Sequence, residues 1–135
     1  MGVHAPSLSN KISEVSLKKL MQVISSHLLD LNTLELNLAS NHIKIDHSMH
    51  ECFHLGRLQA LRRLEVNFSF NEVQPSALAG ILKNIAKAPE LTHLMLDLEN
   101  IKTNPVHLAM ALKELTFLKY VSVLDLNISC NSIRE

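Results

Sequence analysis

The sequence predicts an α/β fold, a right-handed solenoid with a curved parallel sheet on the inside and helices on the convex side. The first observation behind this is a pattern that repeats when the chain is slid past itself by thirty residues. Leu31, Leu34, Leu36, Leu38, Asn41 and Ile43 recur as Leu61, Leu64, Val66, Phe68, Asn71 and Val73, and again as Val121, Leu124, Leu126, Ile128, Asn131 and Ile133. A third copy, Leu91, Leu94, Leu96 and Leu98, keeps the phase but has Ile101 where the asparagine belongs. Units this small cannot bury their own apolar faces, so they must stack on their neighbours.

The second observation is the alternation within each copy, as in Leu34-Glu35-Leu36-Asn37-Leu38, which has the period of a half-buried strand. The third is the helical spacing that follows, with Leu78, Ile81, Leu82 and Ile85 in one unit and Leu108, Ala111, Leu112 and Leu115 in the next. Strand followed by helix and again by strand requires parallel pairing with the helices on one side.

Taken in order, Ser9 to Ile12 reads as the tail of a first unit with little or no strand, and Ser13 to Leu29 as its shorter helix, carrying Leu17, Leu20, Met21 and Ile24. Pro75 and Pro105 stand one unit apart at first helical positions, Asn104 is a candidate N-cap, and Pro89 closes a helix. The whole is one domain over residues 1–135. It divides into a partial unit 1–30, full units 31–60, 61–90 and 91–120, and a partial unit 121–135, and neither end has an obvious polar cap. The chain is therefore expected to be a fragment of a longer array or to associate end to end.

These copies resemble the leucine-rich repeat, and the long helical segment in each unit resembles its ribonuclease-inhibitor-like class. One departure is an additional apolar position ahead of the usual Leu-x-x-Leu-x-Leu-x-x-Asn-x-Leu block. The resemblance implies that the concave strand face binds partners. It also implies that Asn41, Asn71 and Asn131 form an inward-facing asparagine ladder, satisfying main-chain groups where strand turns into loop. The turn at Ile101, with Asn100 one residue early, is expected to be altered and looser.

With the leucines inward, the intervening strand residues must face the concave side. They form one column of Glu35, Glu65, Met95 and Asp125, a second of Asn37, Asn67, Asp97 and Asn127, and a third of Ala39, Ser69, Glu99 and Ser129. No lysine or arginine occurs in these three columns. The expected partner-binding set is Glu35, Asn37, Glu65, Asn67, Asp97, Glu99, Asp125 and Asn127, an acidic strip suited to a basic or amide-rich protein surface. The alternative is that charged strand residues only keep an exposed sheet solvated.

Other residues offer less. His47, His50, His54 and Glu51 share a sector of a helical wheel, but no metal is expected, because His54 is in phase with exposed-type residues and nothing supplies supporting ligands. Cys52 is in phase with Leu82 and Leu112, hence a core thiol with a raised pKa and no nucleophilic role. Asn67-Phe68-Ser69 and Asn127-Ile128-Ser129 match glycosylation acceptors but read more simply as column members. With three glycines there is no phosphate-binding loop, and no catalytic residue or cofactor is expected.

The thirteen basic and thirteen acidic residues cancel, so bulk charge favours neither nucleic acid nor membrane. The N-terminus lacks a signal-peptide pattern, and two distant cysteines favour a reducing, cytoplasmic compartment. The sequence thus predicts a non-enzymatic protein-interaction scaffold. The rival functions are regulatory or substrate-recognition repeats of an enzyme system (a ubiquitin ligase, a kinase-linked sensor or a GTPase activator) and a structural spacer.

Overall fold

The computed structural model describes residues 2–5 and 12–131. Ser9 to Lys11, expected to form the tail of the first unit, and Ile133 lie outside the described residues.

Alternating apolar residues produce the strands β1 (Gly2–Ala5), β2 (Thr33–Asn37), β4 (Arg63–Asn67), β6 (His93–Asp97) and β7 (Val123–Asn127). They form a five-stranded parallel sheet in the order β1-β2-β4-β6-β7. From β2 onward each residue pairs with the one thirty positions later, Leu34 with Leu64, Leu64 with Leu94, and Leu94 with Leu124. The sequence period is therefore the strand register itself. Two short strands, β3 (Lys44–Ile45) and β5 (Glu72–Val73), pair in a second parallel sheet beyond the turns.

β1 corrects the expectation that the first unit has little or no strand. It pairs with β2 at an offset of thirty-one, Gly2 beside Thr33 and Val3 beside Leu34, so it does not align when the chain is slid by thirty.

Among the described residues four α-helices alternate with the strands: α1 (Glu14–His27), α2 (His47–His50), α3 (Pro75–Ile85) and α4 (Pro105–Leu112). The first is also a correction, because the segment expected to be the shorter helix is the longest at fourteen residues. Ser13 caps it by accepting the Ser16 N–H, and Asn104 caps α4 by accepting the His107 N–H, with Pro105 in the first turn as expected. Unit 31–60 has only one helical turn, followed by a 3-10 turn at Leu55–Arg57. Gly56 packs closely on the next unit there, since a Cβ would come within 3.1 Å of Lys87 Cβ and the two segments would have to separate slightly.

The core runs between sheet and helices. Leu34, Leu64 and Leu94 are fully buried, as are Leu38, Phe68 and Leu98, and they join Leu17, Met21, Leu78, Ile81 and Leu82 in one cluster. Each such side chain contributes about 1.5–3 kcal/mol of transfer free energy. Phe53 fills the thin second unit and stacks obliquely on Phe68, ring centres 6.0 Å apart. The other strand residues are half-buried along β2, β4 and β6, which leaves the second face of the sheet open.

Candidate functional site

Strands β2, β4, β6 and β7 each end in a turn that repeats with the period. Ser40, Phe70, Asn100 and Cys130 all adopt positive φ, between 47° and 58°, although none is glycine. Such a conformation persists only when its surroundings hold it, and the asparagine ladder supplies part of that hold. Asn71 Nδ2 donates to the carbonyls of Leu38, Phe68 and Ser69, while its Oδ1 accepts the Ile43 N–H at 3.0 Å. Asn131 does the same for Leu98, Ile128, Ser129 and Ile101, and Asn41 accepts the Ile12 N–H and donates to Leu38 and Ala39. At the gap, the Val73 N–H donates instead to the Ile101 main-chain carbonyl, and the Ile101 side chain is fully buried. Asn100 keeps the positive φ, so the expected altered turn is altered in its donors and acceptors while the backbone path at this position is retained.

The first two of the three columns predicted for the concave side line the open face, whereas in the third Ser69 is buried, at 4% exposed. Glu35 is level with Glu65, Glu65 with Met95, and Met95 with Asp125, while Asn37, Asn67, Asp97 and Asn127 form the next row. Those two rows line a shallow depression of about 300 Å³ whose floor is the main chain at Leu36, Val66 and Leu96, the side chains of which turn to the core.

The second row does more than face solvent. Asn37, Asn67, Asp97 and Asn127 each accept the N–H of the residue two positions on, at 2.9–3.1 Å, closing an Asx turn that ends the strand. One side-chain oxygen in each is thereby committed to the fold, a duty that sequence reading missed although Asx at a strand end is its signal. Asn127 Nδ2 also reaches Asp97 Oδ1 at 3.2 Å and Glu99 Oε2 at 3.4 Å, gathering two carboxylates around one amide.

A fourth column escaped the sequence reading: Thr33, Arg63, His93 and Val123 at the strand beginnings, which also face the open side. Arg63 pairs with Glu65 and lies 3.6 Å from Met95 Sδ. The open face is thus not uniformly acidic. Arg63 and His93 mark the strand beginnings, and Asp97, Glu99 and Asp125 the ends.

The histidine cluster is not assembled as expected. α2 ends at His50, Glu51 follows in a turn, and His54 caps the 3-10 segment, so one helix face does not carry them; the side chain of His50 lies outside the described residues. No group of three His, Cys, Asp or Glu among the described residues is placed to hold a metal ion. Cys52 lies in the turn after α2 rather than on a helical stripe, half-buried against the core, and burial pushes its thiol above the usual range despite the opposing charge of Lys18. Among the described residues no helix is long and apolar enough to cross a membrane. Comparison of the chain with family models, with curated proteins and with solved structures finds no match.

Proposed function

We propose that the chain is a leucine-rich-repeat-like solenoid acting as a protein-interaction module, and that it receives a basic segment of a partner protein along the open strand face. The observation that carries this reading is a depression lined by Met95, Asp97 and Asp125, with Glu99 held near Asp97 by the Asn127 amide that both carboxylates share. A lysine or arginine side chain fits such a place, with its methylenes against Met95 and its charged head among the carboxylates. The thirty-residue strand register, the ladder and the one-sided core support the stacked architecture.

A model ligand is enough for the test. An isotope-labelled chain titrated with a lysine- and arginine-rich peptide should show amide shifts concentrated at Glu65, Met95, Asp97, Glu99 and Asp125, and none with an acidic peptide of equal length. Shifts confined to the helical side would overturn the assignment. Affinity capture followed by mass spectrometry then identifies natural partners.

A further inference from the structure

Phe70 occupies a position for which neither the turn nor the core requires an aromatic ring. It sits in the turn after β4 at φ 58°, in phase with Ser40, Asn100 and Cys130. A bulky residue is a rare occupant of that left-handed region. Its side chain is 47% exposed, so it does not serve the core. The Ser40 N–H donates to the Ser69 carbonyl and the Phe70 N–H to the Glu99 carbonyl, so a neighbouring unit is packed on each side of this turn. In unit 61–90, which has a full unit on either side, Phe70 is the one large apolar side chain that is exposed. Asn71, next in the chain, is 2% exposed and donates to the Leu38, Phe68 and Ser69 carbonyls. The ring is thus carried on a firmly held turn and offered to solvent.

Its surroundings are acidic. The strand-end segments 37–41, 67–71, 97–101 and 127–131 contain no lysine or arginine. On the next strand, about 4.8 Å away, the Asn127 amide holds the carboxylates of Asp97 and Glu99 together. Lys102 follows Ile101, whose carbonyl the Val73 N–H reaches, so it is level with the residues after Val73 rather than with Phe70. Glu72 is in register with Lys44 and is offset by it. The ring therefore stands beside negative charge that has no basic residue in its own segments. An aromatic face attracts a cation through its quadrupole. A planar, weakly hydrated guanidinium stacks on such a face, which a compact, strongly hydrated ammonium does less well.

We infer that Phe70 is the stacking platform for an arginine of the partner segment, so that the strand-end rim prefers arginine to lysine. This inference rests on the open-face reading and names the side chain which that face selects at its rim. The carboxylates of Asp97 and Glu99 draw in either cation, and the ring distinguishes between them.

Titration of the isotope-labelled chain with two peptides of equal length tests this, one alternating glycine with arginine and the other glycine with lysine. The arginine peptide should bind about two- to fivefold tighter, the ratio that one exposed cation–π contact supplies. Its side-chain protons next to the guanidinium should move upfield under the Phe70 ring. Phe70→Leu should abolish both the preference and the upfield shift while leaving the affinity for the lysine peptide nearly unchanged, and Phe70→Tyr should retain both. If Phe70→Leu loses its fold by circular dichroism, Phe70→Ser, with the residue that stands in phase at position 40, is scored in its place. Equal affinities for the two peptides, with amide shifts at Asp97 and Asp125, overturn the inference and leave the open-face reading standing. An arginine preference that survives in Phe70→Leu also overturns it, and binding of neither peptide overturns both.

Discussion

The Val73 N–H donates to the Ile101 carbonyl at 3.1 Å, so the main chain itself takes up the contact that the Asn71 side-chain oxygen makes with the Ile43 N–H one unit earlier. The two kinds of position should therefore fail differently. Asn71→Ala strands the Ile43 N–H and removes the donor to the Phe68 carbonyl in a buried place, while the Leu38 carbonyl keeps Asn41, and should cost on the order of 1–3 kcal/mol. Ile101→Ala leaves the Val73 bond intact and removes only buried hydrocarbon, at about 2–5 kcal/mol. Urea unfolding gives both values. Hydrogen exchange separates the mechanisms: Ile43 should lose protection in the first variant, and Val73 should keep its protection in the second.

Thr103 stands in phase with Ile43 and Val73 and is equally enclosed, at 5% exposed. Among the described residues its hydroxyl has no hydrogen-bond partner. The β-branched shape fits the position while the oxygen does not, so Thr103→Val should raise stability by about 1 kcal/mol. An unchanged or lower melting temperature would show that the hydroxyl is satisfied.

Leu36 is 2% exposed in the middle of the sheet, whereas Leu126 lies on the last strand and is only partly buried. Among the described residues no charged side chain is buried in the core, so a carboxylate at position 36 must either unfold the stack or ionise at a large cost. Leu36→Asp should abolish cooperative thermal unfolding, and Leu126→Asp should lower the midpoint while preserving the transition. Equal, negligible effects in both would contradict the inward placement of these residues.

Much of this architecture was legible because the period fixes register: once Leu34, Leu64, Leu94 and Leu124 align in sequence, parallel pairing places them side by side. What escaped detection lay off the period. β1 is displaced by one residue, so Val3 faces Leu34 without aligning to it. The second unit fills its core with Met49, Phe53, Leu55 and Leu58, whose spacing is not helical, and so its helix shrinks to one turn. Arg63 opens β4 ahead of the apolar alternation of Leu64 and Val66 that marks the strand, so the pattern does not reach it. The Asx turns were missed because Asn37 and Asp97 were weighed as surface groups, not as acceptors for the backbone two residues on.

The two cysteines should react at different rates. Cys130 is exposed, while Cys52 is half-buried with a thiol held above its ordinary range by desolvation, and only the thiolate attacks alkylating agents. Iodoacetamide at mildly alkaline pH should label Cys130 first, with Cys52 following only in denaturant or at higher pH. Peptide mapping over time reads this out, and simultaneous labelling would place Cys52 in open solvent.

The pairing of Arg63 with Glu65 gives the proposed open-face function its sharpest test. Both side chains are partly exposed, at 42% and 29%, so the pair itself adds little stability. Its larger effect is on the field, because the guanidinium offsets one of the carboxylates that would attract a basic partner. Arg63→Ala should leave the melting temperature nearly unchanged and raise the association rate for a lysine-rich ligand. Asp97→Asn with Asp125→Asn should lower that rate; an amide at position 97 can still accept the Glu99 N–H, so the turn survives. Both differences should shrink as salt rises from about 0.05 to 0.5 M, since screening shortens to a few ångströms over that range. Stopped-flow or surface plasmon resonance measures the three rates. If Arg63→Ala slows association instead, the arginine itself contacts the ligand, and the partner presents an acid at the strand beginnings.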